Sequence, residues 1–295
     1  MLTTVLGFAT ALVYGFADFF GAVSAKRINA VFVTFASGVT GFVFLLLLVP
    51  VFGAQFDRET ILWGIAAGVT SSIAMSCLYI SLAIGPISIL SPLGAVASAI
   101  FPAIVGFALG DRFSWIGWVA LALVLVAVVF VGFIPGEAVR LPSARGLFFG
   151  LAAGIGIGVV LICLHQAPAD SGLGSIVLLR GVAAGILGSV LLLRRFTKRL
   201  GLGLPPLGRV AESGLPRRIW LAVAAAGLFD ASANLFFILA SRVPDSTLTV
   251  VGVLTALYPL GTIVLARVFL HERIALIQQV GIGLALAGSA LLAIA

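Results

Sequence analysis

The sequence predicts an all-α polytopic membrane protein: ten transmembrane helices folded as two inverted five-helix repeats, 1–135 and 146–295, in one membrane domain. Three observations carry this expectation: an extreme composition, ten long apolar runs, and an internal repeat. Of 295 residues 62% are apolar and 9% charged, and the mean hydropathy is +1.28. A soluble fold covers its core with roughly a quarter charged residues, so the solvent around most of this surface must be lipid. The net charge of +7 does not point to nucleic acid, because the basic residues sit at the ends of apolar runs. Cys77 and Cys163 both lie inside apolar runs, which leaves no disulfide framework and no metal-ligand spacing.

The runs span residues 2–23, 30–52, 60–83, 86–109, 113–134, 146–165, 173–193, 218–240, 245–270 and 274–294, each near the roughly 20 residues that a bilayer crossing needs. They lack the alternation of a lipid-facing strand, so helices are required. Run 1 starts apolar at Leu2 without a basic leader and carries Asp18, which favours a retained span over a cleaved signal peptide. Run 3 opens near Trp63 and ends at Leu82-Ala83. Run 4 is interrupted by Pro92 and Pro102, breaks that can hinge a helix or expose carbonyls to a cavity. Asp111, ahead of run 5, and Glu272, ahead of run 10, read as helix caps. Run 6 carries Gly150, Gly154 and Gly158 at a spacing of four, a smooth stripe suited to close helix packing. Residues 194–218, with Gly201, Gly203, Pro205 and Pro206, read as a flexible basic loop near lipid headgroups.

The repeat appears as matched landmarks. Gly15 of run 1 and Gly158 of run 6 share with Gly38 and Gly181 one offset of 143 residues; Trp63 and Trp220 share with Ala83 and Ala240 one of 157. Five spans per repeat is an odd number, so the halves insert with opposite orientation about an axis in the membrane plane, a geometry that suits alternating access.

The chain resembles the EamA-type ten-helix permeases of the drug/metabolite transporter superfamily over essentially its whole length. The residues that carry the likeness are Tyr14-Gly15, the run endings Tyr79–Ala83 and Phe236–Ala240, Tyr258-Pro259, and the paired signatures Gly110-Asp111-Arg112 and His271-Glu272-Arg273. It departs from the family pattern at Tyr14, where Trp is usual, and at His271, where Gly is usual. What the resemblance implies is a secondary permease, often an exporter of amino acids, other metabolites or drugs, with a central cavity between its halves.

Ionisable groups at bilayer depth cost about 2.5 to 3.5 kcal/mol on insertion scales, so Asp18, Arg180 and Asp230 need a reason. Substrate binding, proton coupling or gating is one; a structural ion pair is the other. Arg180 can clamp a substrate carboxylate or neutralise Asp230 or Asp18. Thr10, Tyr14 and Asp18 recur every four residues on one face of run 1, Asp230, Asn234 and Phe237 share a side of run 8, and Thr255, Tyr258 and Thr262 share one of run 9. Pro259 frees a backbone carbonyl beside Tyr258. The candidates for substrate binding or coupling are therefore Tyr14, Asp18, Tyr79, Ser91, Arg180, Asp230, Asn234, Thr255 and Tyr258, with Gly150, Gly154, Gly158, Pro92, Pro102 and Pro259 as packing or hinge positions. Neutralising Asp230 is expected to abolish transport without unfolding the chain.

Basic residues crowd the loops after odd-numbered runs, whereas the other face has only Arg58, Arg112 and Arg242. The positive-inside rule puts the crowded face in the cytoplasm and both termini outside; the resemblance implies the reverse, so the shared side of the termini stands and its identity stays open. The expected protein is a secondary transporter exporting amino acids or other small organic metabolites from a cell (inner) membrane, with proton coupling open. Its cavity is expected to be lined from runs 1, 3, 4, 6, 8 and 9. Its expected partners are a small-molecule solute and the lipid bilayer, not nucleic acid, and a monomer suffices. No cofactor, metal-ligand set or phosphate loop is legible, so neither catalysis nor ATP drive is expected. A non-transporting scaffold, a scramblase and an embedded enzyme are the rival readings.

Overall fold

The computed structural model of the chain describes residues 1–84, 87–132, 143–199, 216–269 and 275–292. The helices in order are α1 (Leu2–Ala25), α2 (Ala30–Phe52), α3 (Arg58–Ile84), α4 (Ile87–Leu109), α5 (Trp115–Gly132), α6 (Ala144–Gln166), α7 (Gly174–Arg199), α8 (Arg217–Ser241), α9 (Leu248–Thr255), α10 (Pro259–Phe269) and α11 (Leu276–Leu292), with one short 3-10 turn at Ala169–Ser171. Seven segments, α9 and α10 taken as one, are long and apolar enough to cross a membrane, and α4, α5 and α11 contribute three shorter apolar ones. Large apolar side chains such as Leu47, Ile104 and Leu192 are exposed around the outside, while Ala11, Ala95, Ala153 and Ala231 are fully buried. This is the reverse of a soluble fold, because lipid makes no demand for a polar exterior and small residues let backbones approach.

Most helix ends fall within two or three residues of the runs. Two differences have physical causes. The helix over run 7 continues to Arg199, since Lys and Arg are good helix formers and a helix need not stop where the apolar run does. Run 9 is broken rather than continuous: residues 256–258 form a turn between α9 and α10. Pro259 has no N–H for the carbonyl one turn earlier, and the chain tightens instead, with Tyr258 N bonded to Thr255 O and Leu260 N to Leu257 O. Run 4 is corrected the other way. α4 runs unbroken through Pro92 and Pro102, as membrane helices permit when neighbours and side chains re-satisfy the freed groups.

Caps fix several starts. Asn29 Oδ1 accepts from Val31 N and Phe32 N at 2.9 and 3.3 Å, and Ser143 Oγ accepts from Gly146 N. Asp111 does not cap α5, which Ser114 caps through Gly117 N. Its Oδ2 instead accepts from Thr249 N and Thr249 Oγ1 at 3.1 and 2.6 Å, closing the first turn of α9 from across the molecule. Glu272 lies outside the described residues.

Helix α1 packs chiefly on α8 and α3 on α6; α2 lies against both α7 and α8, α3 also against α7, α4 against α6 and α9, α1 against α9 and α10, and α5 against α11. Exchanging α1 with α6, α2 with α7, α3 with α8, α4 with α9–α10, and α5 with α11 maps this set of pairs onto itself. Single residues repeat the pattern: a Cβ on Gly15 would meet the Tyr258 carbonyl and Gly261, and one on Gly158 would meet Phe101 and Pro102. Of the run 6 stripe, Gly154 likewise touches the Gly94 carbonyl of α4, and Gly150 lies near Leu90 and Ser81.

Successive spans alternate in direction, so the termini and the α2–α3, α4–α5, α6–α7 and α8–α9 loops share one face. These loops are tied together. Ala54 and Gly172 form an antiparallel bridge, with Gln55 N bonded to Ser171 O and Leu173 N to Gly53 O. Gly172 sits at φ 58° with no room for a Cβ against Gly53 O, which requires glycine. Arg242, after α8, donates to Ser171 Oγ at 2.9 Å and to the Gly172 and Pro168 carbonyls at 3.1 and 3.4 Å.

Candidate functional site

Between α1, α3, α6, α7, α8 and α9 lies a cavity of about 40 Å³, room for about three waters. Its wall is formed by Tyr14 and Asp18 from α1, Ser71, Ala74 and Met75 from α3, Ile157, Val160 and Leu161 from α6, Arg180 from α7, Asp230 and Asn234 from α8, Thr255 from α9, and Tyr258 from the turn after it.

Seven of the nine sequence candidates meet here: Tyr14, Asp18, Arg180, Asp230, Asn234, Thr255 and Tyr258. Helical spacing explains the pairs, since Tyr14 and Asp18, and Asp230 and Asn234, each stand one turn apart. Tyr79 is fully buried in α3, its hydroxyl against Gly21 rather than on the cavity wall. Ser91 and Pro92 lie on the described backbone of α4, but their side chains lie outside the described residues. Among the described residues α7 joins the lining through Arg180. Thr10 turns back to the Leu6 carbonyl, Phe237 is buried in the core, and Thr262 Oγ1 reaches Gly15 O at 3.4 Å. Ser71, Ala74 and Met75 of α3 and the three α6 aliphatics were not legible from sequence.

The polar groups form a connected set. Arg180 Nη1 donates to Asp230 Oδ2 at 2.5 Å, both side chains more than nine-tenths buried. Of the two acids open to Arg180, the structure pairs it with Asp230. Asn234 Nδ2 donates to the Asp230 carbonyl at 2.9 Å, and Tyr14 donates to Asn234 Oδ1 at 2.7 Å, joining α1 to α8. Thr255 Oγ1 donates to the Val251 carbonyl. The Tyr258 hydroxyl lies beside Ser98, whose own hydroxyl is directed to Ala95 O, and makes no hydrogen bond. Asp18 has neither a hydrogen bond nor an ion pair among the described residues. Such an arrangement can hold a small solute by charge and hydrogen bonds away from water; no group of three His, Cys, Asp or Glu able to hold a metal occurs among the described residues.

A solved structure titled "Crystal structure of protein" is similar to this chain with a TM-score of 0.72 at 15% identity, covering 98% of this chain and 95% of that one; the likeness is one of fold. No curated protein sequence matches. Residues 144–294, just over half of the chain, match the EamA-like transporter family, a part of the drug/metabolite transporter superfamily, and with ten apolar helical segments among its described residues the chain belongs to that family of membrane transporters.

Proposed function

We propose that the protein is a secondary transporter of the cell (inner) membrane that exports a small organic metabolite by alternating access around this cavity. The observation that carries the reading is the cavity between helices of both halves of the chain, with Asp18, Arg180 and Asp230 on an otherwise largely apolar wall. The packing pairs that survive exchange of the halves support two inverted repeats, 1–135 and 146–295, and such repeats place a solute site at their interface. The ties among the loops on the termini face support a state closed on that face. Amino acids lie within the range of solutes that a polar site with an aliphatic wall accepts.

The test is flux. Native protein is compared with Ser71→Met, which fills the cavity with an unbranched apolar chain, at matched membrane levels. A metabolite that accumulates outside only the native cells, and moves only in native proteoliposomes, is the expected outcome. Identical extracellular profiles together with no flux of any labelled solute in proteoliposomes would remove the transporter reading.

A further inference from the structure

We propose that the cavity is an organic-cation site, in which Asp18 presents one uncompensated carboxylate to a monocationic, amine-bearing solute with an apolar body. This rests on the transporter reading and names the substrate class of the same site.

The wall's polar groups are mostly committed elsewhere. Arg180 is bound to Asp230, Tyr14 to Asn234, Asn234 to its own helix and Thr255 to its own helix. What remains among the described residues is Asp18, the hydroxyls of Ser71 and Tyr258 and the unpartnered Nε of Arg180. The groups that face Asp18 electrostatically are Asp230 from α8 and the tyrosines Tyr14 of α1, Tyr79 of α3 and Tyr258 after α9. None of them is a cation. Among the described residues Arg180 is the single basic residue on the wall, and its charge is neutralised by Asp230 at 2.5 Å.

With Asp18 in its carboxylate form, Asp18 and Asp230 with Arg180 leave the cavity at a net −1. An anionic solute against Arg180 Nε would raise that to −2, and a zwitterion would leave it unchanged. A monocation brings it to zero, and an uncompensated charge at bilayer depth is costly, so the monocation is the solute this wall favours. The rest of the lining agrees: Ala74, Met75, Ile157, Val160 and Leu161 offer an apolar surface, and the rings of Tyr14 and Tyr258 are of the kind that attract cations.

Three probes with one aromatic body and three charges test this: phenethylamine, phenylalanine and 3-phenylpropionate, titrated calorimetrically into the purified full-length protein at neutral pH. Phenethylamine is expected to bind at least about tenfold more tightly than phenylalanine, with 3-phenylpropionate weakest, a tenfold ratio being about 1.4 kcal/mol. Asp18→Asn is expected to lose that preference at an unchanged melting temperature, and Asp18→Glu to keep it. If Asp18→Asn does not fold, the charge order in the native protein and in Asp18→Glu decides. Native protein that binds and moves phenylalanine or 3-phenylpropionate better than the amine overturns the cation assignment and leaves transport standing. An undiminished amine preference in folded Asp18→Asn overturns the role of Asp18. Failure to bind any of the three, with no flux in proteoliposomes, overturns the site and the transporter reading together.

Discussion

Removing one partner of the Arg180–Asp230 pair strands the other charge in a buried site, whereas removing both leaves only a change of shape. Asp230→Asn is therefore expected to destabilise the protein by about 3 to 5 kcal/mol, while Arg180→Met with Asp230→Leu returns it to native stability or above. Thermal melts in detergent check this, and a double variant as unstable as the single one would show that the pair is not a unit. The consequence revises the sequence reading, in which neutralising Asp230 alone stops transport without unfolding: the single variant confounds the two effects. Asp18, Arg180 and Asp230 were legible because a charge inside an apolar run stands out. Which acid Arg180 neutralises was not, since the partners lie 50 residues apart on different helices and only tertiary packing brings them together. Met75, Ile157 and Leu161 were invisible for another reason. A wall that faces a cavity and one that faces lipid are both apolar, so periodicity cannot tell them apart.

At the scale of elements, the turn between α9 and α10 is where the two halves differ most. Pro102 and Pro259 stand at equivalent places, yet α4 continues and the later helix breaks. Proline alone does not decide. At Tyr258 a backbone oxygen lies against Gly15, and Gly261 lies against the Leu12 carbonyl, so α1 and α10 meet backbone to backbone. Gly15→Ala and Gly261→Ala are each expected to cost about 1 to 3 kcal/mol by overpacking, and together less than the sum because they share one contact. Gly38→Ala, whose new Cβ would find only Ala184 at 4.0 Å, is the control. It is expected to hold or raise the melting temperature, as alanine does for glycine in a helix interior. Equal losses at all three positions would sink the argument. Run ends were legible to within a turn from hydropathy and caps; the break was not, because residues 245–270 stay apolar throughout.

Across the whole molecule, the loops of the termini face are tied together by few contacts among the described residues. Arg242 ties the end of α8 to the α6–α7 loop, which in turn is bridged to the α2–α3 loop. Hydrogen bonds to a charged group contribute about 1.5 to 3 kcal/mol, so Arg242→Gln is expected to open this face at least about tenfold more often. Ser175, fully buried just inside the bridge, reports it. As a lone cysteine, with Cys77 and Cys163 replaced by alanine, position 175 is expected to react with a membrane-impermeant maleimide about tenfold faster in the Arg242→Gln background. Unchanged labelling would mean that the loops do not gate.

The pairing of α1 with α8 and of α3 with α6 also sets an order of synthesis. Helix α1, with its carboxylate and tyrosine face, leaves the ribosome about 200 residues before the helix it packs on, which at roughly 5 to 20 residues per second is a wait of about 10 to 40 seconds. During that interval Asp18 and Tyr14 have neither cavity nor partner, and the nascent chain must be sheltered by the insertion machinery or by water at the interface. Residues 1–135 made alone are accordingly expected to be cleared by membrane proteases, and to accumulate when residues 143–295 are produced in the same cell, as pulse-chase labelling of the two pieces would reveal. The polar face of α1, on this account, first finds its partner with the arrival of α8 rather than with the completion of the first half.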